Sequence, residues 1–240
     1  MRLPTIEGII RRRILVNFRV DPQVIQNVLP SRFRPKLHQG QAIAGICLIR
    51  LEHIRPKMFP DIVGISSENA AHRIAVLWDE DNLTQEGVFI PRRDTASGLN
   101  HLLGGRVFPG EHHKAKFKVE ENDDKIALSM KSDDGDVAVE VRGKISAELP
   151  QTSIFRSLSE ASLFFETGSL GYSVTNDANR LDGLRLQTRE WQVEPLEVER
   201  VYSSYFADEA KFPKGSAEFD HALIMRNIAH EWHTASDLRV

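Results

Sequence analysis

Residues 113–149 read HKAKFKVEENDDKIALSMKSDDGDVAVEVRGKISAEL, and this stretch decides the fold. It contains three runs in which apolar and polar residues alternate, separated by the short polar segments NDD and DDGD. Alternation with a period of two is typical of strands that have one face in a core and the other in solvent. Short polar turns join antiparallel neighbours. The stretch therefore predicts a three-stranded antiparallel meander.

Strands also dominate the region before the meander. The β-branched residues of 14–20 predict a strand, after which Asp21 is suited to cap a short helix that has Pro22 in its first position and ends before Pro30. The pattern indicates a strand, a short helix and a further strand.

A hairpin is predicted next. Residues 33–37 and 41–51 have strand character, and Gly40 between them suits a tight turn. Two prolines and a glycine make 52–64 a predicted loop over the surface or over the mouth of a site. Residues 65–78 and 87–91 then predict two strands joined by an acidic turn.

Two further helices are predicted. The segment 93–105 has an N-cap candidate in Asp94 or Thr95, spaced leucines and a Gly-Gly stop. The segment 157–168 opens with a Ser-x-x-Glu capping box and ends on glycine.

The remainder of the chain is mostly strand. Residues 183–206 alternate again and predict two strands broken at Pro195, whereas 219–233 fits a strand or a helix. Many strands with few short helices predict an α+β, mainly β domain covering 1–240, whose sheet curves around a pocket.

The composition excludes several classes of partner. The formal net charge is −3, from 31 Lys+Arg against 34 Asp+Glu, so no overall basic field exists to attract nucleic acid or an anionic membrane. The single cysteine, Cys47, cannot form an internal disulfide, lies in an apolar run and is interpreted as a small buried hydrophobe. No signal peptide or membrane-spanning run is visible, which favours a cytoplasmic protein.

Four segments carry a resemblance to a known family: 17–37, 68–76, 87–113 and 165–174. They resemble an uncharacterised bacterial family allied to acetoacetate decarboxylase. The resemblance implies a cone-shaped, partly open β-barrel with a central small-molecule cavity.

The sequence differs from the decarboxylase at the position of the reactive lysine. In the decarboxylase, a lysine after a Tyr-Pro or Phe-Pro pair forms a Schiff base with a β-keto acid. The matching phrase here is VFPGEHH, in which Gly110 and Glu111 stand where two lysines are expected. Lys114 comes later, in an alternating run whose lysines share the face expected to meet solvent. Schiff-base chemistry is therefore not expected.

The resemblance implies further site residues at matching positions of this sequence. Glu68 matches the pocket carboxylate of that family; the alternative is an ordinary strand carboxylate that pairs with Arg73 or faces water. Arg11 matches the arginine upstream of the first strand, although RRR at 11–13 permits three registers. A second pocket glutamate is replaced near Gly45.

Two pairs of neighbours suggest ligand chemistry from residue type alone. Arg92 and Arg93 fall between a predicted strand and a predicted helix, where one guanidinium could anchor a carboxylate; a salt bridge to Asp94 or to the acidic turn is equally consistent. His112 and His113 face opposite sides of a strand, so at most one could line a pocket as acid, base or hydrogen-bond donor. Histidines that cap the strand and hydrogen-bond the turn are the alternative, and a shared metal would need distant ligands.

Together these features predict a cofactor-free, metal-free protein that binds a small organic acid or keto compound. Motifs of serine hydrolases, dinucleotide enzymes and nucleotidases are absent from the sequence. The first hypothesis is a lyase or isomerase that works by proton transfer, with Glu68 as acid or base. The second is a non-catalytic ligand-binding or oligomer-forming protein of the same fold.

Overall fold

The computed structural model describes residues 5–60, 64–98 and 110–240. These residues form one extended sheet with two helices packed on it. In chain order the elements are β1 (Ile6–Val20), α1 (Pro22–Val28), β2 (Arg34–Pro35), β3 (Leu37–His38), β4 (Gln41–Pro56), β5 (Ile65–Glu80), β6 (Leu83–Thr95), β7 (His112–Glu121), β8 (Lys125–Ser132), β9 (Ala138–Ile145), α2 (Leu158–Glu166), β10 (Leu170–Val174), β11 (Arg180–Thr188), β12 (Glu194–Ser203), β13 (Ala217–Thr234) and β14 (Leu238–Arg239).

The sheet closes on itself in two places. Its order is β14-β11-β10-β6-β7-β8-β9-β12-β13-β1-β4-β5-β2, and two additional pairings join β6 to β5 and β11 to β13. The first pairing closes a ring through β7, β8, β9 and β12, which we term the meander ring. Together the two pairings close a second ring through β10 and β11, which we term the cavity ring. Strands β13, β1, β4, β5 and β6 belong to both rings and form a shared wall.

The meander is confirmed. Strand β7 pairs with β8 and β8 with β9, both antiparallel. Along β8 the buried residues Ile126, Leu128 and Met130 alternate with more exposed ones, as expected for a strand with one wet face. The apolar face of this meander packs into a core that it shares with the wall.

The shared wall is buried on both faces. Ile14 and Val16 of β1 contribute to the core of the meander ring, whereas Leu15 between them contributes to a second core inside the cavity ring. The same division separates Ile46 from Cys47 on β4. Strands covered on both sides need apolar residues at successive positions, which explains the continuous apolar run in β4.

Both confirmed helices have the predicted caps. The Asp21 carboxylate accepts a hydrogen bond from the Gln23 backbone N–H at 2.7 Å, with Pro22 in the first position of α1. The Ser157 hydroxyl accepts one from the Glu160 N–H at 3.1 Å. The hairpin turn at Gly40 is also confirmed, with a positive φ of 78°.

Several sequence predictions were wrong. The predicted loop at 52–64 begins too early, because β4 continues to Pro56 along β1, which itself starts at Ile6. A register shift between Leu51 and Ile54 around His53 absorbs the irregular sequence.

The helix cap predicted after β6 was also wrong. Asp94 and Thr95 are buried strand residues of β6, paired with Ala70 and Asn69 across the ladder. The rest of that predicted helix, up to residue 105, lies partly outside the described residues.

Candidate functional site

A cavity of about 160 Å³ lies inside the cavity ring. Residues of the shared wall, of β10 and β11 and of the end of α2 line it. Most of the lining side chains are apolar. They include Ile49, Leu51, Ile54, Ile65, Val88, Ile90, Phe165, Leu184, Leu186, Trp191 and Trp232.

Three arginines interrupt this apolar lining. They are Arg13 on β1, Arg73 on β5 and Arg93 on β6. None of them forms an ion pair with a carboxylate of residues 5–60, 64–98 or 110–240. Arg73 is buried and Arg13 and Arg93 are partly buried. Because buried cations are ordinarily paired, the cluster leaves positive charge available to a ligand in the cavity.

A chain of buried hydrogen bonds holds Arg73. Its guanidinium donates to the Asn17 side-chain oxygen, and the Asn17 amide nitrogen lies 3.0 Å from His221 Nε2. His221 Nδ1 lies 2.6 Å from the Asp220 carboxylate. A single direction of donors fits this chain: His221 donates to Asp220 and accepts from Asn17, which in turn accepts from Arg73. The chain fixes the orientation of Arg73 on the cavity wall.

The other two arginines are held by neutral groups. Arg93 Nε donates to the Ser173 hydroxyl at 2.9 Å. Arg13 Nε donates to the Cys47 sulfur at 3.2 Å, and its guanidinium carbon lies 5.9 Å from the centroid of Trp191. Neutral partners position a guanidinium without cancelling its charge.

Burial lowers the pKa of Arg73 to about 10; the neighbouring Cys47 opposes this shift and the cation of Arg13 adds to it. Burial likewise lowers the pKa of Arg93 to about 10, opposed by Cys47 and by the Asp182 carboxylate. Both side chains therefore stay cationic at neutral pH, because their pKa values remain well above 7.

His112 lines the cavity and His113 does not. His112 is the first residue of β7, paired with Arg93, and its Nδ1 lies 3.2 Å from the Gly110 carbonyl oxygen. His113 points to the other side, where its Nδ1 lies 3.1 Å from Asp134. The expectation that only one histidine faces the pocket agrees with these positions.

The arginine pair is divided in the same way. Arg93 lines the cavity, whereas Arg92 donates to Asp94 at 2.9 Å and to Asp134 at 2.7 Å. Arg92 therefore has the salt-bridge role that the sequence left open, and it is not an available anchor.

Glu68 and Arg11 do not line the cavity, contrary to the expectation from the family resemblance. Ser67 and Asn69 line the cavity, so strand alternation turns Glu68 to the opposite face of β5. There its carboxylate accepts a 2.5 Å hydrogen bond from Arg12, which is 1% exposed and also contacts Glu121. Arg11 is exposed and donates to Asn227 at 2.5 Å.

Sequence reasoning missed three residues of the site: Arg13, Arg73 and Cys47. Arg13 was one of three possible registers of the arginine run, and the structure turns this one inward. Arg73 carried a signal that could have identified it, since an arginine within the otherwise small and apolar stretch AAHRIAV has to find a polar environment. The position of Cys47 inside an apolar run carried no such signal.

The described part of the chain contains no group of three His, Cys, Asp or Glu side chains placed to hold a metal ion. Within the same residues, no helix is long and apolar enough to cross a membrane.

The double ring has the acetoacetate decarboxylase-like fold. Solved structures agree. An acetoacetate decarboxylase from Legionella pneumophila subsp. pneumophila str. Philadelphia 1 is 11% identical with a TM-score of 0.57, over 98% of this chain and 88% of that one. An acetoacetate decarboxylase-like enzyme from Sphingomonas wittichii RW1 is 10% identical with a TM-score of 0.59, over 100% and 94%.

A third similar structure is the enduracididine biosynthesis enzyme MppR complexed with pyruvate. It is 8% identical, with a TM-score of 0.56 over 100% of this chain and 91% of that one. No curated protein matches the chain in sequence. Residues 10–228 match DUF2071, a family described as an uncharacterized conserved protein, and the chain belongs to that family.

Proposed function

We propose that this protein binds a small organic anion, of the monocarboxylic or keto acid class, in the arginine-lined cavity. The observation that carries the proposal is the group of three arginines without a carboxylate partner among the described residues. A carboxylate ligand would give these guanidinium groups an anionic partner, which a planar guanidinium can hold through two parallel hydrogen bonds.

The size of the cavity restricts the ligand. A cavity of about 150 Å³ admits a molecule of roughly the size of benzene. The volume here, about 160 Å³, favours a ligand on the order of ten non-hydrogen atoms or fewer. The apolar lining around the arginines favours an acid with a short aliphatic or aromatic body rather than a sugar acid.

Proton transfer is the reaction type that the cavity supports best. His112 lines the cavity beside Arg93, its cross-strand partner, and an imidazole can exchange a proton near neutral pH. The carboxylate of the bound acid would be held by arginine while His112 acts on the carbon next to the carbonyl. In this proposal His112 takes the acid or base role that the sequence suggested for Glu68, because the Glu68 carboxylate accepts a hydrogen bond from Arg12 on the other side of β5.

Two observations argue against imine chemistry in this cavity. The described lining residues include no lysine, and the stretches 1–4, 61–63 and 99–109 contain none in sequence. Lys114 is exposed on β7. A lyase or isomerase reaction without a Schiff base is therefore favoured over decarboxylation of the acetoacetate type.

Calorimetric titration with pyruvate and with its neutral amide tests the binding proposal. The acid should bind and the amide should bind at least about tenfold more weakly, since the amide lacks the charge that the arginines recognise. Arg93→Met should reduce affinity for the acid by a similar factor, whereas Arg11→Met, a matched change at an exposed position of β1, should not. Equal affinity for acid and amide would reject the proposal.

Hydrogen exchange at the carbon beside the keto group tests the catalytic part. In D₂O, the protein should accelerate deuteration of a bound keto acid, and His112→Gln should abolish the acceleration while leaving affinity within about twofold. Binding without any acceleration would favour the second hypothesis, a ligand-binding protein without a reaction.

A further inference from the structure

The single thiol of the chain lies on the cavity wall. Cys47 is 8% exposed and belongs to the cavity lining, and its sulfur accepts a hydrogen bond from Arg13 Nε at 3.2 Å. The register explains the contact. Cys47 pairs with Leu15 on β1, so Arg13 is its diagonal neighbour on the same face.

The other two arginines are arranged around the same position. Cys47 pairs with Ala71 on β5, which makes Arg73 a diagonal neighbour, and Ala71 in turn pairs with Arg93 on β6. The small side chain of Ala71 thus lies between the thiol and Arg93. The three guanidinium groups and the sulfur therefore lie near one another on the cavity face of the wall.

Independent of the thiol, Arg73 points to an anionic ligand. It is 5% exposed, has no ion pair with a described carboxylate, and its Nε has no hydrogen-bond partner within the described structure. A buried guanidinium with an unused donor on a cavity wall favours an acceptor supplied from outside. The thiol and the anion site are thus adjacent.

We propose that Cys47 is the nucleophile of this cavity, and that it adds to small carboxylates carrying an electrophilic carbon, with 2-keto acids as the substrate class. This inference rests on the proposed function, since the arginines must hold the carboxylate. The ligand's carbonyl carbon would then lie close to the sulfur, as a nucleophilic step requires.

The addition is balanced without a redox partner. The sulfur electron pair forms a C–S bond to the keto carbon while the C=O π bond breaks, and the carbonyl oxygen takes the electron pair. The thiol proton ends on that oxygen, giving a thiohemiketal that reverses by the same steps. The guanidinium of Arg13, whose Nε lies 3.2 Å from the sulfur, is placed to stabilise the negative charge that develops during the attack.

Alkylation of the purified protein tests the assignment, because an adduct can form on only one cysteine. Iodoacetate and iodoacetamide transfer nearly the same group and differ in charge. In each reaction a C–S bond forms, the C–I bond breaks, iodide leaves with the bonding pair, and the thiol proton goes to the buffer. The ratio of the two rates, measured by intact mass, should favour iodoacetate by about tenfold or more in the folded protein relative to the same protein in urea.

Two variants test the cause of the preference. Arg13→Met should lower the folded-state ratio towards its value in urea, whereas Arg11→Met, the same change two residues away on an exposed side chain, should leave it unchanged. The comparison of folded and unfolded wild-type protein needs no variant, so a folding defect of Arg13→Met does not remove the test.

Three results would overturn the proposal: no labelling of the folded protein, equal ratios in the folded and unfolded states, or a preference that persists unchanged in folded Arg13→Met. Failure here is distinguishable from failure of the proposed function. Wild-type protein that binds pyruvate in calorimetry but shows no charge-selective labelling rejects only the nucleophile, whereas wild-type protein that does not bind pyruvate rejects the proposed function.

Discussion

Replacement of His72 should make the protein more resistant to acid. The His72 ring is fully buried, lies 4.6 Å from the Tyr205 ring between centroids, and neither ring nitrogen has a hydrogen-bond partner within the described residues. Burial, helped by the positive charges of Arg92 and Lys211, lowers the pKa of His72 to about 3 from an ordinary value of 6.5. Protonation therefore favours the unfolded chain.

The magnitude follows from the two pKa values. Above pH 6.5 the imidazole is neutral in both states and contributes no pH dependence. As the pH falls below 6.5, the unfolded state takes up a proton and the folded state does not, so the free energy of unfolding decreases by about 1.4 kcal/mol per pH unit. At pH 4.5 the loss from His72 is about 3 kcal/mol, and it stops growing only near pH 3.

Urea unfolding of wild-type protein and of His72→Phe at pH 7.5, 5.5 and 4.5 measures this loss. The difference at pH 7.5 reports packing alone and serves as the internal reference. Relative to it, the phenylalanine variant should gain about 1.4 kcal/mol at pH 5.5 and about 3 kcal/mol at pH 4.5. Parallel curves for the two proteins across this range would refute the reasoning.

Three further outcomes are expected. Glu68→Gln should lower the free energy of unfolding by about 1–3 kcal/mol, because Arg12 keeps a single carboxylate partner. The same variant should leave the affinity for pyruvate in calorimetry unchanged, and a loss of affinity would show that Glu68 belongs to the binding site. Asn17→Leu should lower the free energy of unfolding in urea by a similar amount and weaken pyruvate binding about tenfold, since Arg73 loses its hydrogen-bond acceptor. Unaltered affinity would contradict the role of Asn17 in positioning Arg73. Affinity for pyruvate should stay constant from pH 6 to about 8.5 and fall as the pH approaches 10, because burial lowers the pKa of Arg73 and of Arg93 to about 10. Titrations that remain flat to pH 11 would show that both arginines keep their charge and would contradict the lowered pKa values.

Much of the fold could be predicted because it is encoded locally. The meander alternates along each strand, and the caps at Asp21 and Ser157 are satisfied by backbone groups two or three residues away. Strand β13 was ambiguous, because its neighbours β1 and β11 lie far away in sequence and only pairing with them selects a strand.

The orientation of the site residues could not be predicted in the same way. Alternation shows that Arg12 and Arg13, or Glu68 and Asn69, face opposite sides, but it does not show which side holds the cavity. On a wall with one wet face, the apolar residues would have marked the inside. Strands β1, β4 and β5 are covered on both faces, so their hydrophobic pattern is the same on each.

In this two-sided wall, neighbouring residues of one strand contact different surroundings. On β5, the odd-numbered positions from Ser67 to Arg73 line the cavity, while the even-numbered Glu68, His72 and Ile74 contact the core and ion pairs of the other ring. Substitutions on the cavity face can therefore change ligand preference while leaving the core of the meander ring unchanged. An engineer could redesign selectivity by changing alternate residues only, and the unchanged residues between them would keep the strand in register.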